Sequence, residues 1–152
     1  MESTLVTFCI ENSRIAFPVK VVQRVIWALR ITPVPGQNKK FIGVINLEEE
    51  VIPIIDLRYI LGLRQCDLEL DDDIVIVDTS FGQLGLIADR VEGVQEYLSS
   101  QVSPAGKELE SLASSVLRAD DGLVIIVDPS KLINEDDLPA LRKLIAAKAG
   151  NS

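Results

Sequence analysis

The chain of 152 residues contains no histidine. That absence excludes a histidine general acid or base, a Ser-His-Asp or Cys-His nucleophile system, a His-ligated metal and a phosphohistidine. Aromatic residues are scarce, with four Phe, two Tyr and one Trp, too few for a base-stacking platform. The two cysteines, Cys9 and Cys66, lie far apart. Cys9 falls in an apolar run and is expected to be a small core residue; such sparing cysteine use points to a reducing compartment. No aliphatic run could span a bilayer, since Val51 to Ile55 is short and holds Pro53. No basic segment followed by an apolar one marks a secretory signal. The expectation is a cytoplasmic protein without membrane insertion. The net charge of −8 argues against phosphate backbones and anionic membranes, so no nucleic acid is expected as a partner.

Branched aliphatics are abundant: 16 Val, 17 Ile and 19 Leu. That is ample for a packed core and too apolar for disorder. The length suits one ordinary domain or two very small ones. Most of the chain reads as short Val- and Ile-rich strands bounded by turn residues. They are Leu5–Ile10, Arg14–Pro18, Val25–Leu29, Val44–Leu47, Val51–Ile55, Ile74–Asp78, Leu84–Ala88, Val94–Leu98, Ser115–Ala119 and Leu123–Val127. Asp121-Gly122 is a hairpin signal, and Glu48-Glu49-Glu50 occupies the same place between two other runs. Leu57–Leu61 and Pro129–Ile133 read as single helical pieces. Many evenly spaced short strands predict an all-β fold of small barrels or a sandwich. The tail differs. Asn134 to Asp137 offers caps and acidic first-turn residues, and Leu138, Leu141, Leu144, Ile145 and Lys148 follow helical spacing to Gly150. This predicts a one-sided helix over 135–149, packed on the body.

The most informative feature is an internal repeat. Shifted by 72, Val44–Leu47 lies on Val116–Ala119 and Val51–Asp56 on Leu123–Asp128. Shifted by 69, Leu5–Phe8 lies on Ile74–Val77, Ile15 on Leu84, Phe17 on Leu86, Val22 on Val91 and Val25 on Val94. Two copies of this length do not make a solenoid. They imply a duplicated five-strand unit of about 70 residues, too small for a secure core of its own. The halves differ in charge. Residues 1–64 carry 8 basic and 6 acidic groups, and residues 65–152 carry 7 and 17. The clusters Asp71-Asp72-Asp73 and Glu135-Asp136-Asp137 are expected to solvate loops and caps.

No phosphate-cradling, dinucleotide or nucleophile-elbow motif is present. The acidic clusters lack calcium-loop spacing, and they lie in polar turns where nothing raises a carboxyl pKa. Asp78, at the end of an aliphatic strand, resembles a receiver phosphoacceptor, but the alternating helices of a receiver are missing. No catalytic, cofactor-binding or metal-binding residue is assigned, and no enzyme is expected.

Several segments together resemble the CheW-like domain, the adaptor of bacterial and archaeal chemotaxis arrays. They are Leu5–Phe8, Val21–Ile26, Ile31–Gly36, Ile42–Leu47, Val51–Arg58 and Gly85–Val91. The string from Gly43 to Arg58 is the most specific. The resemblance implies two five-stranded SH3-like β-barrels over residues 3–134. Subdomain 1 would cover about 3–70 and subdomain 2 about 71–134, with the N-terminal strand exchanged between them. It further implies a non-enzymatic adaptor without cofactors, whose partners are the regulatory domain of the histidine kinase CheA and a chemoreceptor cytoplasmic tip. The alternative is a structural or self-assembling module of the same fold.

The chain departs from the family pattern at two places. The family has Asn-Leu-Arg-Gly where this chain has Asn46-Leu47-Glu48-Glu49, and an acid where this chain has Arg24. The exchange suggests a swapped Arg24–Glu48 ion pair that acts on partner choice. With the family glycine replaced by Glu49, the hairpin is expected to turn differently. Three adjacent acids would also repel an acidic partner, which points to an accessory or alternative-pathway adaptor. Partner contacts are assigned to Val22, Arg24, Asn46, Leu47 and Glu48. Trp27 is expected to be a half-buried strand residue, and Asn46 to close a turn.

Overall fold

The computed structural model describes residues 2–10, 13–27, 31–33, 40–60, 72–104, 106, 113–120 and 122–150. Twelve strands form along these residues: β1 Glu2–Ile10, β2 Ser13–Pro18, β3 Val22–Trp27, β4 Thr32–Pro33, β5 Phe41–Leu47, β6 Glu50–Ile55, β7 Asp73–Thr79, β8 Gly82–Ala88, β9 Arg90–Leu98, β10 Val102–Pro104, β11 Ala113–Ala119 and β12 Gly122–Val127. Helix α1, Leu57–Ile60, follows β6, and α2, Leu138–Gly150, closes the chain. All ten strands read from the sequence are present among the described residues, although the third runs over Val22–Trp27 rather than from Val25; Ala28 and Leu29 of that reading, and Leu61 of the helical piece, lie outside the described residues. The two additions, β4 and β10, span two and three residues, too short to show an alternating pattern. Cys66, Asp71 and Asp121 lie outside the described residues.

The strands form two six-stranded sheets. The first has the order β10-β11-β12-β2-β1-β9 and the second β3-β7-β8-β6-β5-β4. Under the sequence repeat these are one order written twice, with the hairpins exchanged. Hairpin β1–β2 joins the strands of the second half, and hairpin β7–β8 joins those of the first. The junctions are parallel pairs: Ile126 faces Ala16 in one sheet and Ile54 faces Gly85 in the other. A cut near residue 70 therefore separates the repeats in sequence but not the sheets in space.

The hydrophobic cores explain why the halves stay together. Ile45, Ile52, Ile54, Ile74, Ile76 and Ile87 fill the second sheet's barrel. Leu5, Ala16, Leu117, Val124 and Ile126 fill the first. A third and larger cluster lies between the sheets and includes Phe8, Phe17, Phe41, Ile55, Val75, Leu86 and Val127. Most of the buried apolar residues thus belong to the shared cluster, and burial of apolar surface is the dominant favourable term in folding. Phe8 and Phe17 stack there with ring centroids 5.1 Å apart.

Helix α2 packs as its spacing predicts. Leu141 and Leu144 are buried in the shared cluster, and Leu138 and Ala140 pack against it. Residues Glu135–Asp137 form a 3-10 turn at the helix start. Asp137 is no mere solvating acid: it accepts the Asn134 N–H at 3.0 Å and pairs with Lys40 Nζ at 2.6 Å. Cys9 also departs from expectation, being half-buried. Partial burial pushes its thiol pKa up, the Glu92 carboxylate adds to this, and Arg90 and Arg14 oppose it.

Candidate functional site

Strand β3 lies at the edge of the second sheet and pairs with β7. Its register shifts between Val22 and Arg24. This bulge has a consequence for the faces, because residues two apart on a regular strand share one. Val22 faces Val77 of the inter-sheet core, whereas Arg24 faces Ile76 of the barrel core. Beyond the bulge, Val25 faces Val75, so Val25 and Trp27 return to the inter-sheet face. There they are 41% and 67% exposed. Trp27 is therefore an exposed residue, not the half-buried one expected, because β3 ends the sheet and leaves most of its side chain open.

Arg24 reaches across the mouth of the barrel. Its Nη2 lies 3.5 Å from Glu48 Oε1, with the two side chains 46% and 77% exposed. The exchanged charges thus meet, although no hydrogen-bonded strand pairing joins β3 to β5 or β6. The contact is long and wet, so it is worth only ~0–1 kcal/mol to stability. Beside it, the Gln23 side-chain amide donates to Asp78.

The Glu48-Glu49 turn keeps the backbone that the missing glycine would favour. Leu47 faces Glu50, which leaves a two-residue loop, and Glu48 and Glu49 have φ of 50° and 71°. The expectation of a different turn is corrected here. A two-residue turn with positive φ at both central positions matches the right-handed twist of the flanking strands, and the ladders of β5 and β6 impose it on glutamates at a local cost. Asn46 does not close this turn; it lies in β5 opposite Val51 and is exposed. Leu47 packs partly against the barrel core. Of the five assigned residues, Arg24, Leu47 and Glu48 lie on the barrel side, while Asn46, opposite Val51, lies on the inter-sheet face, as do Val22, Val25 and Trp27.

A second charged cluster escaped sequence reading. Arg58 of α1 is 5% exposed and bonds Asp89, with Asp72 Oδ2 at 3.7 Å. Its backbone N–H donates to Asp56 Oδ1 at 3.0 Å. Asp89 stands where the chain crosses between sheets, and its own N–H donates to Cys9 O at 2.9 Å. Burial pulls the Arg58 pKa down, but the Asp89 hydrogen bond and the charges of Asp89, Asp72 and Asp56 outweigh it, holding the guanidinium charged. Asp72 is buried here, not the loop-solvating acid expected. Asp73 accepts the Val91 N–H at 2.9 Å. The available signal was a charged residue inside each aliphatic signature string, Arg58 in one and Asp89 in the other. Among the described residues no group of carboxylates and cysteines could hold a metal ion, and no helix is long and apolar enough to cross a membrane.

The CheW-like domain family matches residues 4–137. The chemotaxis protein CheW of Thermotoga maritima is 30% identical over 136 residues, covering 88% of this chain and 89% of its own length. That of Treponema pallidum is 26% identical over 148 residues, covering 92% and 87%. The crystal structure of the scaffolding protein TtCheW from Thermoanaerobacter tengcongensis aligns with a TM-score of 0.81 at 25% identity, covering 87% of this chain and 92% of its own.

Proposed function

The chain belongs to the CheW-like domain family, and we propose that it is a cytoplasmic adaptor joining the tips of chemoreceptors to the regulatory domain of the histidine kinase CheA. Members of the family are scaffolds without enzymatic activity, and their function is contact. The observation that carries the reading is the edge strand β3. It combines the exposed Val25 and Trp27 on one face with the Arg24–Glu48 pair on the other. A large exposed aromatic on one side of an edge strand and a charged pair on the other give a partner that grips this edge an anchor and a selective rim. Val22, Arg24, Asn46, Leu47 and Glu48 are the proposed contacts, and Trp27 joins them.

The reversed polarity of the pair supports an accessory or alternative-pathway role. A partner surface matched to the family's usual charges would meet like charges here. The test is a pull-down of a CheA regulatory domain and of a receptor tip with the full chain. Capture of both, weakened by Trp27→Ala, is the expected result. Capture of neither sinks the coupling role and favours the self-assembling alternative. Exchanging the charges in Arg24→Glu with Glu48→Arg is expected to widen binding toward ordinary family partners.

A further inference from the structure

A cleft of about 220 Å³ opens where β6, the β7–β8 turn and α2 meet. Its apolar lining includes Val51, Leu84, Ile133 and Leu141, with Phe81 and Glu50 contributing as well. The volume is below the roughly 300–1,000 Å³ of small-molecule sites, and it suits a single bulky side chain. Phe81 belongs to none of the three cores and stays 42% exposed. Its turn holds it there. The Thr79 hydroxyl donates to Gly82 O at 2.7 Å and accepts the Phe81 N–H at 3.1 Å.

The charges beside the cleft have one dominant sign. Glu50 lines it, and Glu49, directly before it in the turn, is exposed. Glu48 and Arg24 offset each other as a pair, which leaves Glu49 and Glu50 as the acids at this edge. On α2, Arg142 and Lys143 are exposed. At about 100° per residue, Arg142 stands a quarter turn away from Leu141 and Lys143 on the opposite face.

We propose that this cleft docks a segment of a partner protein that inserts one bulky apolar side chain beside Phe81 and sets lysine or arginine against Glu50 and Glu49. An apolar anchor ringed by complementary charge is how a small pocket selects a peptide. The site goes beyond the receptor and kinase contacts proposed above, and its floor lies on β6 and β8 rather than on β3.

The test is a fluorescein-labelled peptide with one central phenylalanine between two pairs of lysines, titrated against the full chain. One control peptide carries alanine in place of the phenylalanine, and a second carries glutamates in place of the lysines. Saturable binding is expected, about tenfold weaker for each control. Phe81→Ser and Glu50→Lys should each weaken it about tenfold, with amide shifts at Val51, Phe81, Leu84 and Leu141. No binding up to roughly 1 mM, equal binding by both variants, or shifts confined to β3 would overturn the proposal. Phe81→Ser should still capture the CheA domain and the receptor tip. Loss of peptide binding and loss of that capture therefore report on different sites.

Discussion

The two sheets share one strand order but differ at matched positions. In the second sheet Gly43 faces Pro33 and Ile54. Its counterpart in the first sheet, Ser115, faces Pro104 and Ile126. The first sheet tolerates a side chain that the second does not, for a Cβ on Gly43 would stand 2.4 Å from Thr32 O. The hairpin turns differ as well. Glu48 and Glu49 hold left-handed backbone in one, whereas in the other Gly122, the counterpart of Glu50, carries a φ of 135°. Arg24 of the second sheet corresponds to Gly93 of the first, so the first sheet cannot form a matching pair. The fold therefore demands neither the Arg24–Glu48 pair nor the acidic turn. Those features are surface chemistry added to one of two equivalent frames.

The largest expected effect separates this surface chemistry from the buried cluster that both sheets depend on. Arg58→Met should cost about 3 kcal/mol in urea denaturation, since it removes the buried guanidinium that Asp72 and Asp89 share. A loss below about 1 kcal/mol would mean that Arg58 does not hold the crossover. Next, Gly43→Ala should cost ~1–3 kcal/mol through overpacking, while Ser115→Ala at the matched position stays within about 0.5 kcal/mol. Similar losses at both positions would erase the distinction between the frames. Glu49→Gly should stabilise the chain by about 1 kcal/mol by relieving its left-handed backbone, read as a higher urea midpoint. A fall in midpoint would show that the glutamate side chain contributes more than its backbone costs. The smallest effect belongs to the exposed pair. A double-mutant cycle on Arg24→Glu and Glu48→Arg should give a coupling energy of ~0–1 kcal/mol. A larger value would make the pair part of the fold rather than of the partner face.

The strands were legible because alternating Val and Ile between turn residues leaves few other ways to bury apolar surface. The repeat was legible because both copies keep the same apolar positions. Even the Arg24–Glu48 contact could be inferred, from two charges exchanged together. Other features were hidden for identifiable reasons. Val22 and Arg24 are two apart and would share a face, but a bulge separates them. Trp27 is large and apolar, a composition that favours burial; only its place on an edge strand exposes it. Asp72 sits in an acidic triplet that looks like a solvated loop, and its burial depends on Arg58 arriving from another element.

The sequence by itself determined the fold class, the duplication, the C-terminal helix and the resemblance to one family. These follow from local pattern: periodicity, turn residues and matched strings. The tertiary structure alone decided which hairpin joins which sheet, which face each residue of β3 presents, and which acids are buried. Those depend on contacts between segments remote in sequence, as when Ile126 meets Ala16 or Arg58 meets Asp89. A local pattern states that a strand must bury one side, but it does not name the neighbour that covers it.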